Sequence, residues 1–245
     1  MNSLRAAWRL GRGALHALRG LLIIVFRFPR WDDPRRYARV QSWAREMLAL
    51  VGIRLELRGQ PAATGPMLLA ANHISWLDIL VMHAARHCRF VAKAEVKHWP
   101  LIGTLATGAG TLYIERESRR DAMRVVHHMA ESLRRGDIVA IFPEGTTSDG
   151  LTLLPFHANL IQAAISAEAP VQPVALSFID TMTGTASLTP CYIGDDTLVG
   201  SIWRTLSGPP ITVVVHYGQP QTAQGRGRRA WAVDLHSAVE ELRRG

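Results

Sequence analysis

Two cysteines, Cys88 and Cys191, are all that 245 residues contain. That excludes a disulfide framework and leaves both as ordinary reduced thiols. No stretch reaches the about 20 apolar residues that a membrane-spanning helix needs. The best candidate, residues 21–26, is bracketed by Arg19 and Arg27. A secretory signal peptide would suit the basic start, but Arg27-Phe28-Pro29-Arg30 offers no small-residue cleavage site. No G-x-S-x-G elbow announces a serine nucleophile and no Walker A segment is present. Gly103, Gly108 and Gly110 have the wrong spacing for a dinucleotide fingerprint. His83, His87 and Cys88 lie close together, but no further Cys/His pair completes a metal site, so no metal is expected. Internal repeats are absent, and residues 1–30 contain no acid.

What is present is positive charge, nearly all of it arginine, with a formal balance of +8 and a pI near 10.4. Arg5, Arg9, Arg12, His16 and Arg19 recur at helical spacing as one cationic stripe. Leu4, Trp8, Leu15, Leu18 and Leu22 form an apolar stripe beside it. An interfacial helix fits this pattern best, with arginines at anionic headgroups and leucines in the acyl boundary. The competing reading is a helix docked on the protein's own core. Asp33-Pro34 opens a second helix that ends at Gly52, making an N-terminal hairpin of residues 1–52 before a domain of residues 53–245.

Beyond Gly52, residues 53–59 alternate apolar and charged side chains, as a half-exposed strand does. Further strands are expected at 67–71, 89–93, 111–114, 138–142, 171–179 and 211–217. Helices are expected at 76–84, 118–135, 157–168, 197–206 and 229–243. Ser118 with Asp121 reads as a capping box and Gly136 as the stop of that helix. The alternation predicts an α/β fold: a mixed, mostly parallel layered sheet with flanking helices, preceded by the amphipathic hairpin.

Within that frame the chemistry concentrates in Asn72-His73-Ile74-Ser75-Trp76-Leu77-Asp78. On one straight helix His73 and Asp78 would point roughly 140° apart. With His73 in the turn and Asp78 in the first helical turn, the carboxylate leans back toward the imidazole. Such a pair sets the ring tautomer and makes the other nitrogen a general base. The same residues also fit a capping box, in which Ser75 caps the helix and Asp78 merely completes the cap. Both readings are open at this level.

A second apolar strand, residues 137–142, runs into Pro143-Glu144-Gly145-Thr146-Thr147, a turn of the kind that α/β proteins place at strand C-termini to build a site. Together these segments resemble the glycerolipid acyltransferase family, which includes the lysophosphatidic acid acyltransferases. Asn72, His73 and Asp78 match its Asn-His-x-x-x-x-Asp hallmark. Gly110 to Arg116 matches Gly-x-x-Phe-Ile-x-Arg with Tyr113 for Phe, Phe142 to Thr146 matches Phe-Pro-Glu-Gly-Thr, and Val171 to Val174 matches Val-x-Pro-Val. Lys93-Ala94-Glu95 and residues 99–103 resemble the segment between the first two blocks.

The resemblance implies transfer of a fatty acyl group from acyl-CoA or acyl carrier protein to a lysolipid hydroxyl in phospholipid biosynthesis. It implies His73 as base, Asp78 as its support, and Arg116 with Glu144, Gly145 and Thr146 orienting the acceptor. Lys93 is a candidate oxyanion donor. No cofactor beyond the acyl co-substrate is implied, and the basic helices place the protein on an anionic membrane surface at the cytoplasmic face. Two positions depart from the pattern. Thr147 stands where the family commonly has Arg, and Phe156-His157 where Phe-Lys is usual. Both missing cations suit an anionic headgroup, so lyso-ornithine lipid is the alternative acceptor to 1-acylglycerol-3-phosphate. Outside the family, the basic balance and Gly225-Arg226-Gly227-Arg228-Arg229 raise nucleic-acid binding, but no recognised module accompanies them. A non-catalytic lipid-binding protein is the remaining rival, opposed by the intact His73/Asp78 pair.

Overall fold

The computed structural model describes residues 2–114 and 119–245. Among these, seven strands form one sheet in the order β1-β7-β6-β2-β5-β3-β4. They are β1 (Ile53–Arg58), β2 (Met67–Ala71), β3 (Arg89–Lys93), β4 (Leu112–Ile114), β5 (Ile138–Ile141), β6 (Val171–Asp180) and β7 (Ile211–Tyr217). Every neighbouring pair is parallel except β6 with β7. The mostly parallel sheet read from the sequence is therefore present, with its antiparallel seam between β6 and β7.

Side chains alternate across the central strand β2, as the two-residue period of a strand requires. Leu69 and Ala71 join one core with Leu77 and Val81 of α3 (Leu77–Ala85) and Ala44 and Leu48 of α2 (Asp33–Val51). Leu68 and Ala70 join a second core with Met129 and Leu133 of α5 (Arg119–Arg134) and Trp231 and Leu235 of α8 (Arg228–Arg244). With both faces covered, β2 and β5 are buried along their whole length. The carboxyl ends of β2 and β5 meet at one edge, and the two motifs leave from there.

The N-terminal hairpin consists of α1 (Asn2–Phe26) and α2. Asp32, one residue earlier than expected, caps α2 by accepting from the Arg35 N–H. Through Ala44 and Leu48, residues 1–52 are continuous with the core of residues 53–245. α1 is docked on the protein along one side and exposed along another. Ala6, Gly13, His16 and Gly20 are buried, whereas Leu4, Trp8, Leu15, Leu18 and Leu22 are exposed. The cationic stripe needs correction. His16 stacks on Trp43 of α2, with ring centroids 5.2 Å apart. Arg5 and Arg9 donate to the carbonyls of Gly208 and Leu206 at the end of α7 (Leu198–Ser207). A helix C-terminus carries unpaired carbonyls that attract a cation, so these side chains turn to the protein. Arg12 and Arg19 remain exposed. No helix among the described residues is long and apolar enough to cross a membrane.

Two helices differ from the pattern read above. α4 (Ile102–Gly108) was not expected, and α6 (Gln162–Ala167) starts five residues later than the periodicity implied. The proposed Ser118/Asp121 capping box lies outside the described residues.

Candidate active site

The loop between β2 and α3 is fastened from several sides before any chemistry is considered. Asn72, fully buried, pairs with the backbone of Leu176 on β6, donating to its carbonyl at 3.0 Å and accepting its N–H at 2.7 Å. Ser75 Oγ donates to the Pro190 carbonyl at 2.6 Å. The His73 carbonyl accepts from the Ser148 N–H at 2.9 Å, and the Ile74 carbonyl from the Tyr192 N–H at 3.1 Å. The turn holds its shape because the backbone N–H and carbonyl groups of His73, Ile74 and Ser75 all have partners.

His73 and Asp78 meet as expected. Imidazole Nδ1 lies 2.7 Å from Asp78 Oδ2. The same oxygen accepts the backbone N–H groups of Ile74 at 2.7 Å and Ser75 at 2.9 Å. The His73–Asp78 pair and the helix cap are thus one arrangement and not alternatives. Asp78 is 0 % exposed and His73 19 %, so the carboxylate is sealed while the ring reaches the surface. A carboxylate can only accept, so Nδ1 carries the proton and Nε2 presents its lone pair outward. Trp76, not Ser75, occupies the residue before α3, but Ser75 Oγ still accepts from the Leu77 N–H at 3.2 Å.

The second motif divides at its turn. Glu144 points inward, 3 % exposed, and takes the His73 N–H on one oxygen at 2.6 Å and the Leu154 N–H on the other at 2.9 Å. Burial raises its pKa, partly offset by those two hydrogen bonds. Gly145, at φ 75°, and Thr146 are exposed on the outer side of the turn. The left-handed conformation at Gly145 favours glycine, and it lets the chain reverse while Glu144 is turned under it. Thr147 donates to the Tyr192 carbonyl, so its hydroxyl ties two loops together. His157 lies against Gly145, its Cδ2 3.1 Å from where a Cβ would stand.

Phe142 is the residue that motif reading passed over. Its ring lies flat on the His73 imidazole, centroids 3.9 Å apart and planes within 7°. Phe90 backs it at 5.6 Å. The signal was available, since Phe142 opens the second motif, but only the tertiary structure aims it at the histidine. Lys93 ends β3 at the same edge of the sheet, exposed and without a hydrogen bond to the dyad. Arg116 lies outside the described residues. His83 and His87 have ring centroids 5.4 Å apart, and burial lowers their pKa to about 3 and about 4. Burial raises the Cys88 thiol far above its ordinary range and the Cys191 thiol to about 11, so neither is a nucleophile near neutrality. No group of three or more potential metal ligands occurs among the described residues.

Residues 54–177 match the family model described as Acyltransferase. Over 175 residues the chain is 45% identical to a 1-acyl-sn-glycerol-3-phosphate acyltransferase of Neisseria meningitidis, covering 71% of this chain and 68% of that one. Over 238 residues it is 37% identical to a lyso-ornithine lipid O-acyltransferase of Pseudomonas aeruginosa, covering 96% and 91%. The crystal structure of the 1-acyl-sn-glycerophosphate acyltransferase PlsC from Thermotoga maritima superposes with a TM-score of 0.68 at 19% identity, covering 96% of both chains. At that identity the likeness concerns the fold, including the long N-terminal helix.

Proposed function

Because this chain belongs to the acyltransferase family, we propose that it moves a fatty acyl group from a thioester carrier to the free hydroxyl of a lysolipid, 1-acylglycerol-3-phosphate first among acceptors. The observation that carries the reading is the sealed Asp78 holding the half-exposed His73 in one tautomer. His73 Nε2 takes the proton as the acceptor oxygen attacks the thioester carbonyl. Asp78 supports the imidazolium so formed. The C–S bond then breaks, and the departing thiolate takes the proton back. The carrier is coenzyme A or acyl carrier protein. General-base catalysis of this kind typically supplies about 10²–10⁴-fold, with positioning adding more.

In this scheme Glu144 is a positioning residue that holds the His73 backbone. The exposed Gly145 and Thr146 would contact the acceptor, Arg116 is its cationic partner on family likeness, and Lys93 is the candidate partner of the donor or the developing oxyanion. A second acceptor, lyso-ornithine lipid, is favoured by one observation: the Pseudomonas relative aligns along nearly the whole chain, N-terminal helices included. Thr147 in place of the usual arginine agrees with it. The exposed leucine stripe of α1, with Arg12 and Arg19, suits the interface of an anionic membrane at its cytoplasmic face. No nucleic-acid role is proposed. Arg226 of the basic loop is engaged by Asp234 and by the carbonyls of Thr222 and Ala223.

The test is release of free thiol from an acyl thioester with either lysolipid present. His73→Ala should abolish release in a protein that still folds, and Asp78→Asn should reduce it by orders of magnitude. Near-normal turnover in His73→Ala refutes the mechanism. Turnover with lyso-ornithine lipid alone corrects the acceptor and leaves the reaction class standing.

A further inference from the structure

α7 is amphipathic in a way that the catalytic scheme leaves unexplained. Its inner side is buried: Ser201, Thr205 and Leu206 are within the protein, and Ser201 Oγ accepts from the Trp76 indole N–H at 3.1 Å. One turn apart on another side stand Val199, 78 % exposed, and Trp203, 40 % exposed. A side-chain pair at i and i+4 shares one helix face. Among the described residues nothing covers their exposed surface, and the sheet's two cores do not contain them.

We infer that α7 is a second lipid-contact surface, with Val199 and Trp203 entering the acyl boundary of an anionic bilayer beside the catalytic loop. The inference rests on the membrane reading of α1 given above. Continuity supports it: Arg5 and Arg9 fasten α1 to the end of α7, so the two helices with unpartnered apolar faces are neighbours. Position supports it as well. α7 is tied to the start of α3 by Trp76, and the segment leading into it holds the catalytic turn through Pro190 and Tyr192. His73 is only partly exposed, so a lipid hydroxyl must be delivered close to this wall. Tryptophan suits the purpose, since its ring is apolar and its N–H remains satisfied at headgroup level. The surplus of positive charge, with Arg12 and Arg19 exposed on α1, complements anionic headgroups. A second copy of the chain is a poorer occupant, because two side chains fall far short of the about 800 Å² per partner that a stable interface buries.

The test compares the full chain with its Val199→Ser/Trp203→Ser variant on phosphatidylcholine vesicles containing phosphatidylglycerol. Sedimentation should show partition reduced by about tenfold, with Trp203→Phe retaining most of it. Turnover of vesicle-borne lysolipid should fall in parallel, while turnover of a monomeric short-chain lysolipid stays within about twofold, the mark of lost docking and not lost chemistry. Unchanged partition in the double variant, alongside release by Leu15→Ser/Leu22→Ser in α1, overturns the assignment of α7 and leaves α1 as the membrane contact. Equal loss on soluble and vesicle substrates overturns it too, by making the effect structural. An unsubstituted protein that stays in the supernatant overturns the membrane reading itself and this inference with it.

Discussion

Phe142 shows what a single side chain adds to the dyad. Asp78 anchors one end of the imidazole through Nδ1, but one hydrogen bond leaves the ring free to tilt about it. The Phe142 face at 3.9 Å limits that tilt and fixes the plane of the ring. An aromatic face also favours the imidazolium that the proposed reaction forms. Phe142→Leu keeps the apolar volume and loses the flat surface. It should lower kcat by about tenfold with KM little changed, because positioning acts on the reacting group and not on lipid binding. Phe142→Tyr should retain most activity. A Phe142→Leu enzyme with unchanged kcat in the thiol-release assay removes the ring from the mechanism. Glu144 makes a related point. Family likeness makes it an acceptor ligand, yet both its oxygens already hold backbone N–H groups.

Among the elements, the α1–α2 hairpin is where periodicity described faces without saying what would cover them. Gly20 marks the close approach: a Cβ there would stand 2.6 Å from Trp43 Nε1, whose N–H donates to the His16 carbonyl. On a free helix Gly→Ala stabilises by about 1 kcal/mol. In the docked hairpin Gly20→Ala must displace the indole and break its hydrogen bond, at a cost of roughly 1–3 kcal/mol. Urea unfolding of the variant distinguishes the two by sign. A gain in stability means that α1 does not pack on α2 as described. The correction of the cationic stripe has the same origin. Arg5, Arg9 and Arg12 share a helical repeat, but two of them lie over the carbonyl end of α7 and the third does not.

For the whole molecule, the buried histidines of α3 and its end set a limit in acid. Burial lowers His83 to about 3 and His87 to about 4, from 6.5 in the unfolded chain. Below pH 6.5 the unfolded state therefore takes up protons that the folded state refuses, and stability falls as pH drops from about 6.5 toward 4. Each ring costs about 2 kcal/mol by pH 5, enough to consume much of a typical folding free energy. The free energy of unfolding in urea should be markedly lower at pH 5 than at pH 7, and His83→Phe should reduce that difference by about 2 kcal/mol. An unchanged difference in the variant means that His83 charges freely in the folded protein.

Local spacing determined much of this protein by itself. Period-two alternation marked β1, whose faces are half-exposed, and short apolar runs marked the other strands, most plainly β2 and β5, which are buried on both faces. Asn72 to Asp78 placed histidine and carboxylate together, because five residues across a helix start bring them within reach in any fold. Tertiary structure decided what spacing cannot encode. It made Asp78 the partner of His73 and a helix cap at once, by bringing three N–H groups onto one oxygen. It turned Glu144 inward and left Gly145 and Thr146 outward, and it laid Phe142 on His73 across the join of two parallel strands. It also chose which side of α1 is covered. A helix repeat defines faces, and only the neighbours that arrive from distant sequence, here Trp43 and the end of α7, determine which face is buried and which remains exposed.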